Sequence, residues 1–229
     1  MINRLLIIPA KGISKRIKGK NIKNFYGKPI ISYALANAKG SKLFKKIHVS
    51  TESNKVKKIV ENLGFKVDFL RPKKLSQNNT STVEVLRYVY KKYYENNYKF
   101  DEVWTLSCCT PLLKKNDLIK ASKKTKKNKV LLSVTKFGAP IEWAFTMSKE
   151  KYLKPNFSKK IFKNSQFLSE KYHDAGAFAV FPSSFLKNEK TDLKNNFLGF
   201  VLPRQRAIDI DDIEDWKLAE LMYKINFTK

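Results

Sequence analysis

Two rhythms of apolar and polar positions alternate along this 229-residue chain, one suited to strands and one to helices. Leu5–Ile8 is a short apolar run closed by Pro9, the pattern of a strand buried on both faces. After a polar, lysine-rich loop, Pro29 to Lys39 reads as a helix with proline in its first turn and Gly40 just past its end. Ile47–Ser50 reads as a second strand. Ser53 then caps a helix whose apolar positions Val56, Ile59, Val60 and Leu63 share one face, stopped by Gly64. Phe65–Leu70 alternates as a third strand would, and Pro72 breaks it. Thr82–Tyr94 has helical period, Glu102–Leu106 reads as a fourth strand, Asn116–Lys126 as a helix and Val130–Thr135 as a fifth strand. Between Gly138 and Tyr172 the rhythm is lost in a stretch rich in aromatics and lysine, which reads as an inserted excursion. The strand signal returns at Ala177–Phe181. A last helix spans about Ile213 to Ile225, with Trp216, Leu218, Ala219, Met222 and Tyr223 on a broad apolar face. There is no internal repeat. Strands alternating with helices predict a single α/β domain over 1–229, built on a mainly parallel sheet covered on both faces. Ligands of such sheets sit at the carboxyl ends of the strands, so the loops after Ile8, Ser50, Leu70 and Leu106 are the places to search.

Composition sharpens this in two ways. With 42% apolar and 13% aromatic residues the chain can bury a sizeable core, which excludes a wholly disordered protein. Its formal charge of +27 raises a rival class, a nucleic-acid-binding protein. Such a protein calls for clustered arginine with exposed stacking aromatics. Here only six of the 47 basic residues are arginine (Arg4, Arg16, Arg71, Arg87, Arg204 and Arg206), and lysine is scattered through every segment. A dispersed basic surface can still draw in anionic substrates. Cys108 and Cys109 are adjacent and give neither a disulfide framework nor a zinc spacing; they read as buried small residues. The first apolar run is too short for a signal peptide, and no stretch approaches the roughly eighteen apolar residues of a membrane span. The expected location is the cytoplasm, with no membrane partner.

Lys11–Asn21 places five cations directly after a buried strand. Gly12 and Gly19 allow close backbone approach to a ligand, Ser14 and the loop amides can donate to phosphate oxygens, and Lys11, Lys15, Arg16 and Lys20 can neutralise a triphosphate. The spacing is not that of a Walker loop, because six residues separate the glycines and Asn21 stands where a magnesium-holding hydroxyl would be. A solvated lysine-rich loop is the plain alternative. Near the other end, Ile208-Asp209-Ile210-Asp211 alternates with period two. In an extended strand both carboxylates face one side, where they suit a hard, oxygen-preferring cation such as Mg²⁺. Asp212 reads as the cap of the following helix, with Glu214 and Asp215 favouring its dipole. Arg71, between a strand and Pro72, is either a turn residue or a guanidinium aimed at a nucleotide. Ser76, Thr80 and Thr82 lie near a helix start, as ordinary caps or as anion-holding hydroxyls.

Several stretches, in order, resemble one family. Pro9-Ala10-Lys11-Gly12-Ile13-Ser14-Lys15-Arg16-Ile17, Lys20-Asn21-Ile22 and Gly27-Lys28-Pro29 are similar to the opening of the acylneuraminate cytidylyltransferases. The likeness continues through Ser50-Thr51, Phe69-Leu70-Arg71-Pro72, Leu75-Ser76, Tyr172-His173-Asp174-Ala175-Gly176, Asp209-Ile210-Asp211 and Glu214 to Glu220. Tyr172–Gly176 and Pro140–Phe145 resemble the pseudaminic acid branch. The resemblance implies a three-layer α/β/α Rossmann-like nucleotidyltransferase fold, with the 138–172 excursion serving dimer contacts and the sugar site. It implies a CTP-dependent enzyme that activates a nonulosonic acid, most similar to one using pseudaminic acid, for surface glycan or flagellin glycosylation. Legionaminic, sialic or another ulosonic acid is the nearest alternative. Lys20, Asp209 and Asp211 are then catalytic, the last two holding Mg²⁺. Lys11, Gly12, Ser14, Lys15, Arg16, Lys20, Asn21, Arg71, Ser76, Thr80 and Thr82 face the nucleotide. Ser107, Thr110, Gln166, His173, Asp174 and Phe178 are assigned to the sugar side, although His173 reads equally as structural and Asp174 equally as a turn residue. The implied partners are CTP, a nonulosonic acid and a second copy of the chain, with no nucleic acid. Two departures bear on the nucleotide grip: Lys11 replaces an arginine, and Ile13 replaces a glycine, where a positive φ would be strained. Two others, Asn164–Phe167 and Gly176–Ala179, fall on the sugar side.

Overall fold

The computed structural model describes residues 2–188 and 196–227. In chain order the elements are β1 (Arg4–Pro9), β2 (Asn24–Phe25), β3 (Lys28–Pro29), α1 (Ile31–Ser41), β4 (Lys46–Ser50), α2 (Asn54–Asn62), α3 (Thr82–Glu95) and β5 (Glu102–Leu106). They continue with α4 (Lys115–Ser122), β6 (Val130–Lys136), β7 (Phe145–Met147), β8 (Leu153–Pro155), β9 (Tyr172–Pro182), α5 (Ser183–Lys187), β10 (Phe197–Val201) and α6 (Ile213–Phe227).

Six strands form the central sheet in the order β10-β6-β9-β5-β1-β4. All its ladders are parallel except the two made by β9. Alternate residues of β1 point to opposite faces, and both faces are covered: Leu6 and Ile8 join one core, Leu5 and Ile7 the other. The first core takes Ile31 and Leu35 of α1, Val56 and Val60 of α2, Leu118 of α4 and Trp216 of α6. The second takes Leu86, Val89, Tyr90 and Tyr93 of α3 and Phe185 of α5. Helices therefore flank the sheet on both sides, as the unbroken apolar run of Leu5–Ile8 requires.

Several expected elements differ. Phe65–Leu70 forms no strand among the described residues; its alternation arises because Val67 enters the core and Phe69 stacks on His48 at 4.4 Å. The α1 helix runs through Gly40 and is ended by Lys42 in a left-handed conformation, φ 55°. The strand expected at Ala177–Phe181 begins five residues earlier, so Tyr172–Gly176 lies on β9 rather than in a loop. Asp209 and Asp211 lie on a segment outside any strand, where fully buried Ile210 between them keeps the alternation. Only Trp216 and Ala219 of the α6 face are buried, and Leu218 is 46% exposed. Within 138–171, β7 and β8 pair only with each other, apart from the main sheet. No described helix is long and apolar enough to cross a membrane.

This topology fixes where a ligand goes. β1 lies between β4 and β5, so the chain's crossovers leave β1 in opposite directions and open a crevice beyond its carboxyl end. Because β9 is antiparallel, its amino end reaches the same edge, with Tyr172 opposite Lys136 and Asp174 opposite Val134. Between those positions and Leu132–Ala179 the register shifts, and β9 bulges around Gly176, φ +62°.

Candidate active site

A cleft of about 750 Å³ opens at this edge. Its wall after β1 carries Lys11, Ser14, Lys15, Arg16, Lys20 and Asn21; the opposite wall carries Arg71, Leu75, Thr80, Thr82 and Val85. Ser107, Cys108, Cys109, Asp174, Gly176 and Phe178 form its floor and far end. Most residues expected to face the nucleotide thus meet in one concavity, drawn from two stretches of chain, 11–21 and 71–82.

The phosphate-side loop is held from behind. Asn21, 8% exposed, donates from Nδ2 to the Lys11 carbonyl at 2.9 Å, and its Oδ1 accepts from the Cys108 thiol at 2.9 Å. Lys11 Nζ reaches across to the Gln77 carbonyl at 3.1 Å, bridging the two walls. The feared strain at Ile13 is absent: Ile13 is 80% exposed and keeps a negative-side backbone, while the left-handed turn falls on Gly19, φ +63°. Gly12 is needed for a different reason, since a Cβ there would lie 2.5 Å from Ser53 Cβ.

Two residues expected to face the nucleotide, Gly12 and Ser76, do not line the cleft; Arg71 does line it, with its guanidinium bonded to Ser76 and Glu52. All three converge on Glu52: Gly12 N–H donates to Oε1 at 2.7 Å, while Ser76 Oγ at 2.7 Å and Arg71 Nη2 at 3.1 Å donate to Oε2. Arg71, with its side chain 1% exposed, also donates from Nε to Ser76 Oγ at 2.9 Å. Burial works to raise the Glu52 carboxyl, but hydrogen bonds from Ser76, Gly12 and Arg71 outweigh it and hold the group below the usual carboxylate range. Removing one member of so buried an ion pair costs about 3–5 kcal/mol. Glu52 went unread in the sequence, although it follows Ser50-Thr51 in a loop marked for search. Ser81 was missed as well: it caps α3 in a capping box with Glu84, so Thr80 and Thr82 are freed from that duty.

The acidic pair sits beside the cationic loop. Asp211 Oδ1 accepts from Arg16 Nη2 at 2.8 Å and Lys20 Nζ at 3.3 Å, and Lys20 also donates to the Ile210 carbonyl. Asp209 makes no hydrogen bond or ion pair among the described residues. Partial burial first, and then the Asp211 charge, raise its carboxyl above the usual range, with Lys20 offsetting part of the rise. An unpartnered carboxylate crowded by a second one fits a hard divalent cation, whose arrival would remove that repulsion. Gly176 lets Asp209 approach β9: a Cβ there would lie 2.9 Å from Asp209 Oδ2. Asp215 accepts from the Asp211 and Asp212 amides at 2.9 and 3.1 Å, and Asp212 caps α6 through the Glu214 and Asp215 amides.

The sugar-side expectations divide. Ser107, Asp174 and Phe178 line the cleft, Asp174 being fixed by the Gly176 amide at 2.8 Å. Phe178 is 3% exposed and stacks on Trp104, which makes it floor more than contact. Thr110 lies behind the cleft, its hydroxyl donating to the Ser107 carbonyl at 2.9 Å. His173 is exposed outside the lining, against Phe137, and Gln166 is exposed on a short turn of the excursion. Cys108 and Cys109 are buried free thiols, as their type suggested, yet they also reach the cleft. The hydrogen bond with Cys108 and burial push the Cys109 thiol well up, so it stays protonated.

Comparison with known proteins identifies the family and the fold. A family model described as "Cytidylyltransferase" matches residues 5–197. A pseudaminic acid cytidylyltransferase of Campylobacter jejuni is 37% identical over 228 residues, covering 98% of each chain. A CMP-N,N'-diacetyllegionaminic acid synthase of the same species is 28% identical, covering 98% of this chain and 97% of its own. Among solved structures, a CMP:2-keto-3-deoxy-manno-octonic acid synthetase complexed with CTP superposes with a TM-score of 0.70 at 14% identity, covering 98% of this chain and 100% of that one. The last likeness concerns the fold, a Rossmann-like nucleotidyltransferase architecture.

Proposed function

The chain belongs to the cytidylyltransferase family, and from that premise we propose that it joins CMP from CTP to pseudaminic acid, releasing pyrophosphate. The observation that carries the reaction type is the meeting of Asp211 with Arg16 and Lys20, 195 and 191 residues away: the two cations line the cleft, and the aspartates stand behind them, outside its lining. Triphosphate charge and a metal-suited carboxylate pair are thereby served from one place. The anomeric hydroxyl oxygen of the sugar acid bonds to the α-phosphorus of CTP and gives up its proton to solvent water, while the bond from that phosphorus to the bridging oxygen of the leaving pyrophosphate breaks. Lys11, Lys15, Arg16 and Lys20 neutralise the phosphates, and in this reading the Lys20 ammonium offsets the charge that gathers on the leaving group. Asp209 and Asp211 would hold Mg²⁺, which supplies Lewis-acid stabilisation of the phosphate oxygens when bound. Thr80, Thr82 and Leu75 border the nucleoside side, and Ser107 and Asp174 the sugar side.

The choice of pseudaminic acid is supported by 37% end-to-end identity with an enzyme of that name, against 28% with the legionaminic counterpart. We also place the enzyme in the cytoplasm, where CTP is made, working as a homodimer through the 138–172 excursion and without a nucleic-acid partner. Pyrophosphate release with CTP, Mg²⁺ and a panel of pseudaminic, legionaminic and sialic acids tests this reading. Turnover is expected with pseudaminic acid first. A clear preference for another acid would reject the sugar assignment, and no release with any of them would reject the reaction.

A further inference from the structure

One carboxylate ties together the two walls of the cleft without lining it. Glu52 stands just beyond β4, with its side chain 15% exposed, and is not among the cleft's lining residues. On one oxygen it takes the backbone N–H of Gly12, which belongs to the cationic wall. On the other it takes Ser76 and Arg71, which belong to the nucleoside wall beside Leu75. The linkage is tight on both sides. Ser53 leaves no room for a Cβ at Gly12, and Arg71 is further fixed by its own amide donating to the Thr51 carbonyl at 2.9 Å. Three donors on a single carboxylate make a rigid node, because each bond restricts the geometry available to the others.

We infer that Glu52 is a positioning residue for CTP: it sets the distance and angle between the phosphate-gripping loop and the nucleoside wall. This rests on the proposed reaction, since CTP is the ligand that must span both walls. The sugar acid occupies the far end, by Ser107 and Asp174, and does not depend on the node. A carboxylate is required there because all the incoming groups are donors. A glutamine of equal shape turns an NH₂ toward one of them and leaves donor facing donor.

The test separates the two substrates. In Glu52→Gln, the Kd and KM for CTP are expected to rise at least tenfold, the KM for the sugar acid to stay within twofold, and kcat to fall by less than the KM rises. Glu52→Asp, which keeps the charge on a shorter stem, should recover part of the CTP affinity. Should Glu52→Gln fail to fold, Ser76→Ala removes one donor from outside the cleft, and a three- to tenfold loss of CTP affinity is expected. CTP affinity within twofold of the parent in either folded variant, or equal losses for both substrates, overturns the assignment. A parent protein that binds no CTP removes the reaction reading and this inference together. Parental binding that persists unchanged in the variants removes only the role of Glu52.

Discussion

At the scale of single residues, burial ranks the cations around Asp211. The Lys20 side chain is 17% exposed and bonded to both Asp211 and the Ile210 carbonyl, whereas the Arg16 side chain is 64% exposed. Exposed pairs are worth little in water, and partly buried charges act at closer range and lower screening. Lys20→Ala should therefore cut pyrophosphate release at least a hundredfold and Arg16→Ala only about tenfold, a ranking that steady-state assays of both variants would check. Asp211→Asn should nearly abolish turnover yet leave CTP binding largely intact, because Lys20 and Arg16 lose a competing anion as the metal-suited carboxylate is lost. Calorimetric CTP binding beside the activity assay separates those two effects, and activity within a few-fold of the parent would sink the metal assignment. These residues were legible in the sequence because charge clusters after a strand and alternating acids are visible without coordinates. Glu52, Asn21 and the true place of Arg71 were not. Their roles depend on which donor each atom meets across 10 to 87 residues, and spacing carries no record of that.

At the scale of elements, the strands and helices around β1 were readable because each buries a periodic face. What escaped the pattern was direction. Nothing in Ala177–Phe181 reveals that β9 runs antiparallel, and that reversal is what brings Tyr172–Gly176 to the ligand edge. The false strand at Phe65–Leu70 has the converse cause, since alternation records burial and not pairing. Gly176 is the hinge of the true arrangement: its φ of +62° and its closeness to Asp209 both exclude a side chain. Gly176→Ala should lower kcat/KM more than tenfold by pushing Asp209 off position. The left-handed backbone itself adds about 1 kcal/mol of strain. Thermal melting alongside kinetics would distinguish the two, because strain alone predicts a small shift in Tm with activity preserved.

For the molecule as a whole, two features outside the cleft bear on assembly and acid stability. The excursion exposes Phe162 by 96%, Tyr152 by 77% and Phe167 by 73%, more apolar surface than an isolated arm keeps in water. If this arm is the dimer contact, Phe162→Asp combined with Phe167→Asp should convert a dimer to a monomer in sedimentation, with CTP binding retained. The second feature is a buried cluster behind β4. His48 is fully buried, hydrogen-bonded at Nδ1 to Tyr93 Oη at 3.1 Å, and Asp68 takes Tyr93 Oη and Lys46 Nζ. Burial, offset in part by Asp68, lowers the imidazole from 6.5 to about 4. Asp68 is held below the usual carboxylate range, because hydrogen bonds from Lys46 and Tyr93 outweigh its burial. The sign is the same for both groups: the unfolded chain binds more protons than the folded one, so stability is lost as the pH is lowered. For His48 the loss begins near pH 6.5 and is complete below about 4, amounting to about 2 kcal/mol at about pH 5 relative to about pH 7.5. For a domain of this size that corresponds to a Tm lower by roughly 4–8 °C. The chain's +27 charge adds self-repulsion as its carboxylates protonate, which steepens the decline at lower pH. His48→Leu should flatten the melting profile between about pH 6.5 and 4 while leaving the steeper acid limb from Asp68. An unchanged profile in that window would remove His48 as its cause.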